Sequence, residues 1–125
     1  MFELKIEKDF AGAHNLRDYN GKCENLHGHN WVIYLYVQGS EQQKNGILVD
    51  FKTLKACLNS ILDELDHCYL NELPMFRELN PSAENLARYI YQQAQERMDW
   101  SENPTARVSK VTVFETATSS ATYWE

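Results

Sequence analysis

The stretch His27-Gly-His-Asn-Trp-Val-Ile-Tyr-Leu-Tyr-Val37 puts His27, His29, Trp31, Ile33, Leu35 and Val37 on one side of an extended chain. Successive side chains of a β-strand point to opposite faces, so an i, i+2 histidine pair converges on one point without help from a loop. A second run alternates in the same way: Phe2, Leu4, Ile6 and Phe10, with Glu3, Lys5, Glu7 and Asp9 between them. Continuing that register carries Gly12 and His14 to the apolar side. If the two strands are neighbours, His14, His27 and His29 meet. Three neutral imidazoles with no fourth protein ligand suit a zinc ion that keeps an open position for water or substrate. A hydrogen-bonded core histidine is the plainer reading of any one of them, and His-Gly-His arises by chance. The third histidine in register favours the metal.

Around these strands the pattern reads ββααββ, an α+β arrangement in one domain, residues 1–125. The first strand covers 2–10, an irregular stretch 11–25 is rich in turn formers, and the second strand runs over 27–38. A polar turn follows at 39–46, so the strands form an antiparallel pair with a long first connection. Asp50 is placed to cap a helix whose stripe is Phe51, Leu54, Leu58, Ile61 and Leu65. Ser82 caps a second, with Ala83, Leu86, Ile90, Ala94 and Met98 on its inner face. Asn103-Pro104 breaks the chain, and strands at 107–115 and 121–124 close it. A four-stranded antiparallel sheet with two helices on one face leaves its other face and two edges uncovered. An oligomer that closes those edges into a barrel is expected.

Composition bounds the function classes. A net charge of −6 with no basic stripe argues against nucleic-acid or anionic-membrane partners. No apolar run is long enough to span a membrane, and the N-terminus reads as a strand, not as a signal peptide. Three cysteines do not make a disulfide framework, so a reducing, cytoplasmic setting is expected.

Three further constellations carry chemistry. Cys23 lies four residues before His27, and a nearby cation, whether metal or Lys22, would lower its pKa and favour the thiolate; an inert loop cysteine or a fourth, closing zinc ligand are the alternatives. Asp66-His67 ends the first helix, and a carboxylate that orients an imidazole is the logic of a proton relay; helix-end chemistry is the duller reading. Glu115 continues the Val111–Val113 face into an apolar region, where a carboxylate needs a partner. Two adjacent N–H donors of an aminopyrimidine edge would match it, as would a buried ion pair.

Together these residues resemble the 6-pyruvoyl-tetrahydropterin synthase family, most closely its bacterial 6-carboxy-tetrahydropterin synthase branch. Phe10-Ala-Gly-Ala-His14 is similar to the first metal motif, and Cys23-x-x-x-His27-Gly-His29 to the second. Leu65-Asp66-His67 is similar to the relay motif, Asn80-Pro-Ser-Ala-Glu84-Asn-Leu-Ala to the start of the second helix, and Glu115-Thr116 to the pterin anchor. The resemblance covers essentially the whole chain and implies the tunnelling fold, in which protomers trimerise into a barrel and two trimers stack into a homohexamer with active sites at subunit interfaces. It implies a pterin substrate, 7,8-dihydroneopterin triphosphate, converted to 6-carboxy-5,6,7,8-tetrahydropterin with loss of acetaldehyde and triphosphate, on the way to queuosine. Residue by residue, it implies Zn²⁺ on His14, His27 and His29, Cys23 as base, Asp66 and His67 as its relay, and Glu115 as the grip on the ring.

One departure bears on the product. Glu24 directly follows Cys23, three residues before His27, and a glutamate there resembles enzymes that cleave the side chain to 6-hydroxymethyl-7,8-dihydropterin for folate synthesis. Both chemistries stand as expectations, beside 6-pyruvoyl-tetrahydropterin synthase activity and a non-catalytic, zinc-stabilised binding module. Lys8, Arg17, Lys22, Lys52 and Arg88 are all available to a triphosphate.

Overall fold

The computed structural model describes residues 1–22 and 24–125; Cys23 lies outside the described residues. Strand β1 spans Phe2–His14 and β2 spans His27–Gly39, thirteen residues each, paired antiparallel from Phe2↔Gly39 to His14↔His27. β1 therefore runs four residues beyond the expected end at residue 10. Gly12 pairs with His29 and Ala13 with Gly28, so the ladder continues through small residues that alternation alone does not mark as strand. Helix α1 (Phe51–Leu62) starts at Asp50, whose carboxylate accepts from the Lys52 N–H at 2.8 Å. The helix stops at Leu62, three residues short of Leu65, although Leu65 is still fully buried.

A two-residue strand, β3 (Cys68–Tyr69), adds to the edge of β1 in parallel, and two short 3-10 turns follow at Leu70–Glu72 and Pro74–Phe76. Helix α2 (Ala83–Arg97) starts at Ser82, whose hydroxyl accepts from the Asn85 N–H. β4 (Arg107–Thr116) and β5 (Ser119–Tyr123) complete a sheet of order β3-β1-β2-β4-β5. The expected four strands are thus five, and the sheet is mixed at one edge. Two residues are too few to show a period, which is why β3 leaves no trace in the hydrophobic pattern.

Both helices cover one face. Ile6, Phe10, Trp31, Ile33, Leu35, Val37, Val108, Val111 and Val113 point into them and meet Leu54, Leu58, Ile61, Leu86, Ile90 and Ala94. The opposite face carries Tyr34, Tyr36 and Phe114, with the Lys5 ammonium 4.1 Å over the Tyr34 ring. The sheet is open, with β5 free along one edge and β1 free along most of the other. No helix among the described residues is long and apolar enough to cross a membrane.

Leu58 is completely buried between the helices and the sheet. Leu58→Ala removes its transfer energy and leaves a cavity, and should cost about 2–5 kcal/mol in urea unfolding. A loss below about 1 kcal/mol would mean that the core relaxes around the missing side chain in a way this packing does not allow for.

Candidate metal centre

The β1–β2 register ends at His14↔His27, and His29 lies one step back on the same face of β2. β2 pairs with β4 through Ile33↔Val113, and continuing that register sets Glu115 opposite Trp31 and diagonal to His29. Three adjacent strands thereby bring four side chains to one end of the helix-covered face. One donor atom from each of His14, His27, His29 and Glu115 lies within 4.8 Å of all the others. Trp31, fully buried, forms the floor: its ring meets those of His14 and His29 edge-on at 4.9 and 5.1 Å, and its indole N–H donates to the Gly12 carbonyl.

Hydrogen bonds fix the tautomers. The Pro81 carbonyl lies 2.8 Å from His14 Nδ1, and the Asn25 carbonyl 2.8 Å from His27 Nδ1. A carbonyl only accepts, so both Nδ1 atoms carry hydrogen and both neutral Nε2 atoms carry lone pairs. Those two Nε2 atoms face each other at 3.0 Å. Two lone pairs in that position repel unless a proton or a cation lies with them. Among the described residues His29 Nε2 is buried without a hydrogen-bond partner: Glu115 Oε1 is 3.0 Å away but out of line for one. Burial pushes the His29 pKa below its ordinary value despite the neighbouring Glu115 carboxylate, so the ring favours the neutral form that ligates metals. Two Nε2 lone pairs set by carbonyl-bound Nδ1 atoms, with the His29 imidazole and the Glu115 carboxylate beside them, fit a metal ion, and carbonyl partners of this kind are the usual outer support of ligating histidines.

Asp66 and His67 form the second group. Asp66 Oδ2 lies 2.9 Å from His67 Nδ1, and Asp66 Oδ1 accepts from the Ala11 N–H at 2.9 Å. The His67 N–H in turn donates to the Ala11 carbonyl, so the dipeptide takes both backbone groups of one β1 residue. His67 adopts the left-handed conformation (φ 57°), uncommon for a residue with a side chain. Its ring is 82% exposed, yet His67 and His29 line the same cleft of about 490 Å³, walled by Gly12 and Gly28. The Ala11 N–H, ahead of the His67 ring, holds the Asp66 carboxyl below its usual range.

Residues 3–125 match the family described as 6-pyruvoyl tetrahydropterin synthase. The chain belongs to that family. The 6-carboxy-5,6,7,8-tetrahydropterin synthase of Bacillus subtilis is 33% identical over 127 residues, covering 98% of this chain and 84% of that one. The enzyme of the same name from Synechocystis is 32% identical over 129 residues, covering 99% and 94%. The structure of Caenorhabditis elegans 6-pyruvoyl tetrahydropterin synthase superposes with a TM-score of 0.86 at 28% identity, over 99% of this chain and 95% of that chain. A Plasmodium vivax 6-pyruvoyltetrahydropterin synthase, with a glutamate described as a catalytic residue replaced by cysteine, gives a TM-score of 0.81 at 26% identity, over 99% and 97%.

In this pterin synthase fold the remaining candidates fall out as follows. Cys23 lies outside the described residues. Glu24 is drawn back into its loop, where its carboxylate accepts from the Leu16 N–H at 3.2 Å and lies 3.8 Å from His27 Nδ1. Glu115, expected to face a ring, has one oxygen against His29 while it also lines a cleft of about 460 Å³ with Glu84 and Ser120. Arg17, a candidate for triphosphate, donates instead to the Asn71 and Phe76 carbonyls. Sequence reading gave no role to Asn71 and took Asn80 and Pro81 only as the start of the second helix.

Because the Asp66 value is lowered in the fold, its carboxylate contributes stability above the ordinary value of 3.8, and that contribution is lost as pH falls through the lowered value. The unfolding free energies of wild type and Asp66→Asn should therefore converge as pH falls below about 4. A gap that stays constant through that fall would show the carboxylate to be no better held than in the unfolded chain.

Proposed function

We propose that this chain is a zinc-dependent 6-carboxy-5,6,7,8-tetrahydropterin synthase, a single-domain cytoplasmic enzyme of queuosine synthesis acting on 7,8-dihydroneopterin triphosphate with release of acetaldehyde and triphosphate. The observation that carries this reading is the convergence of three imidazoles and one carboxylate on one point. The bacterial relatives at about a third identity carry that enzyme's name. Three imidazoles with a fourth position left to an exchangeable group suit zinc. Bound there, the ion supplies Lewis acidity toward the oxygens of the substrate side chain.

The chain's own groups supply the rest. His14, His27 and His29 hold the ion. Cys23, as thiolate, takes a proton from the side-chain carbon. His67, with Nδ1 tied to Asp66, presents Nε2 as the atom that accepts and passes on that proton, and Asp66 keeps the tautomer and steadies the imidazolium. Glu115 would accept from both N–H groups of the aminopyrimidine edge. A relay imidazole that is 82% exposed on one chain is an incomplete site. We therefore infer a homohexamer, a dimer of trimers, in which a neighbouring copy covers it by pairing the free edges of β5 and β1; light scattering that finds a monomer at micromolar concentration would remove this assembly.

A second reading, side-chain cleavage to 6-hydroxymethyl-7,8-dihydropterin, is favoured by Glu24 beside Cys23. Mass-spectrometric product analysis decides between them. Cys23→Ala should abolish the carboxy product while sparing zinc and pterin binding, and any residual cleavage should vanish with Glu24→Ala. If Glu24→Ala alone stops the carboxy product, the roles are reversed.

Glu115→Gln keeps the shape but turns one acceptor into a donor. Loss of a charge-assisted hydrogen bond, with a donor left facing a donor, should cost about 2–4 kcal/mol, or roughly thirty- to thousand-fold in pterin affinity. Zinc content should hold. Zinc lost together with unchanged pterin affinity would make Glu115 a ligand and not the anchor.

A further inference from the structure

The backbone immediately after His14 is bonded by side chains where a sheet would use strands. Asn71 accepts from the Asn15 N–H at 3.0 Å and donates to the Asn15 carbonyl at 2.7 Å. Asn80 repeats the pattern on Arg17, accepting from its N–H and donating to its carbonyl, both at 2.9 Å. Leu16, between them, is bonded to the Glu24 carboxylate and N–H. Each asparagine amide thus acts as a surrogate peptide group, reaching across 56 and 63 residues of sequence. Asn80 also precedes Pro81, whose carbonyl fixes His14 Nδ1, and its own carbonyl accepts from the Asn85 side chain inside α2.

We propose that Asn80 is a positioning residue of the metal centre. It ties the segment leaving His14 to the N-terminus of α2 at two points and so holds the Pro81 carbonyl 2.8 Å from the His14 ring. With Asn80 in place, His14 is locked as the Nδ1–H tautomer and its Nε2 lone pair faces the ion. Without it, the carbonyl and the strand end move independently and the ring loses its fixed orientation. The inference rests on the metal reading above and concerns affinity, since Asn80 touches neither ion nor substrate.

Zinc affinity, measured by competition with a chromophoric chelator, tests it on Asn80→Ala and on Asn80→Asp, which sets an acceptor against the Arg17 carbonyl. The control is Asn103→Ala. Asn103 is buried, more so than Asn80, and donates to the Glu41 and Leu48 carbonyls, but it sits at the far end of β2 where Gly39 abuts Ala106. Outer-shell losses of this kind weaken metal binding about tenfold to hundredfold, and that is expected of both Asn80 variants, with Asn103→Ala within about twofold of wild type. Folded Asn80 variants that bind zinc as wild type does, or an equal loss in Asn103→Ala, would overturn the proposal. Nitrogen-15 imidazole shifts of the metal-free wild-type protein test it without any variant: His14 should be wholly Nδ1–H, and a mixture of tautomers overturns the lock. Wild-type protein that binds no zinc but shows the locked tautomer would overturn the metal reading and leave the clamp standing.

Discussion

Two imidazole nitrogens, each with its hydrogen committed elsewhere, face each other across 3.0 Å at the end of a β-ladder. That contact is unfavourable for the folded chain alone, and the rest of the structure holds it in place. The antiparallel register sets His14 opposite His27, and backbone carbonyls on two different loops choose their tautomers. A third ring arrives at the only spacing a strand allows on one face, two residues away. Little in this geometry depends on flexible loops, which suits a site that must keep ligands close to a fixed arrangement.

The site continues the apolar core directly. Along β2 the inward positions run Val37, Leu35, Ile33 and Trp31, all buried, and then His29 and His27. Trp31 marks the boundary: its stacked neighbour Phe10 belongs to the core, and its edge-on neighbours His14 and His29 belong to the site. Packing on one side therefore orients ligands on the other. The same continuity excludes water from beneath the histidines, which lowers the local dielectric and strengthens whatever electrostatic interaction is made above them.

Much of this was legible in the sequence. Period-2 alternation placed three histidines on one face, and Asp50 and Ser82 cap the helices as their positions suggested. Glu115 lies on the inward face of β4, as its register with Val111 and Val113 implied. What escaped notice has a common physical character. The β1 extension runs through Ala11, Gly12 and Ala13, which lack the bulk that marks strands. β3 is held by two pairings and no pattern. The asparagine contacts join residues more than fifty positions apart. Their amides act as donors and acceptors in the manner of backbone, and nothing local distinguishes such an asparagine from one in a solvated turn.

Several features of the centre cost folding energy at once: facing lone pairs, a buried His29 nitrogen with no partner among the described residues, and a left-handed His67. Strain of the last kind costs about 1–3 kcal/mol, against a total stability of about 5–15 kcal/mol for a typical domain. The fold tolerates them because they are gathered at one end of the sheet, outside the packed aliphatic layer that supplies most of the stability. The first two share a remedy. A cation bound only by the folded chain stabilises it by RT ln(1 + [M]/Kd), which is about 2.7 kcal/mol at a hundredfold excess over Kd. The three strand histidines are the ones a metal would relieve, so binding and folding draw on the same contacts.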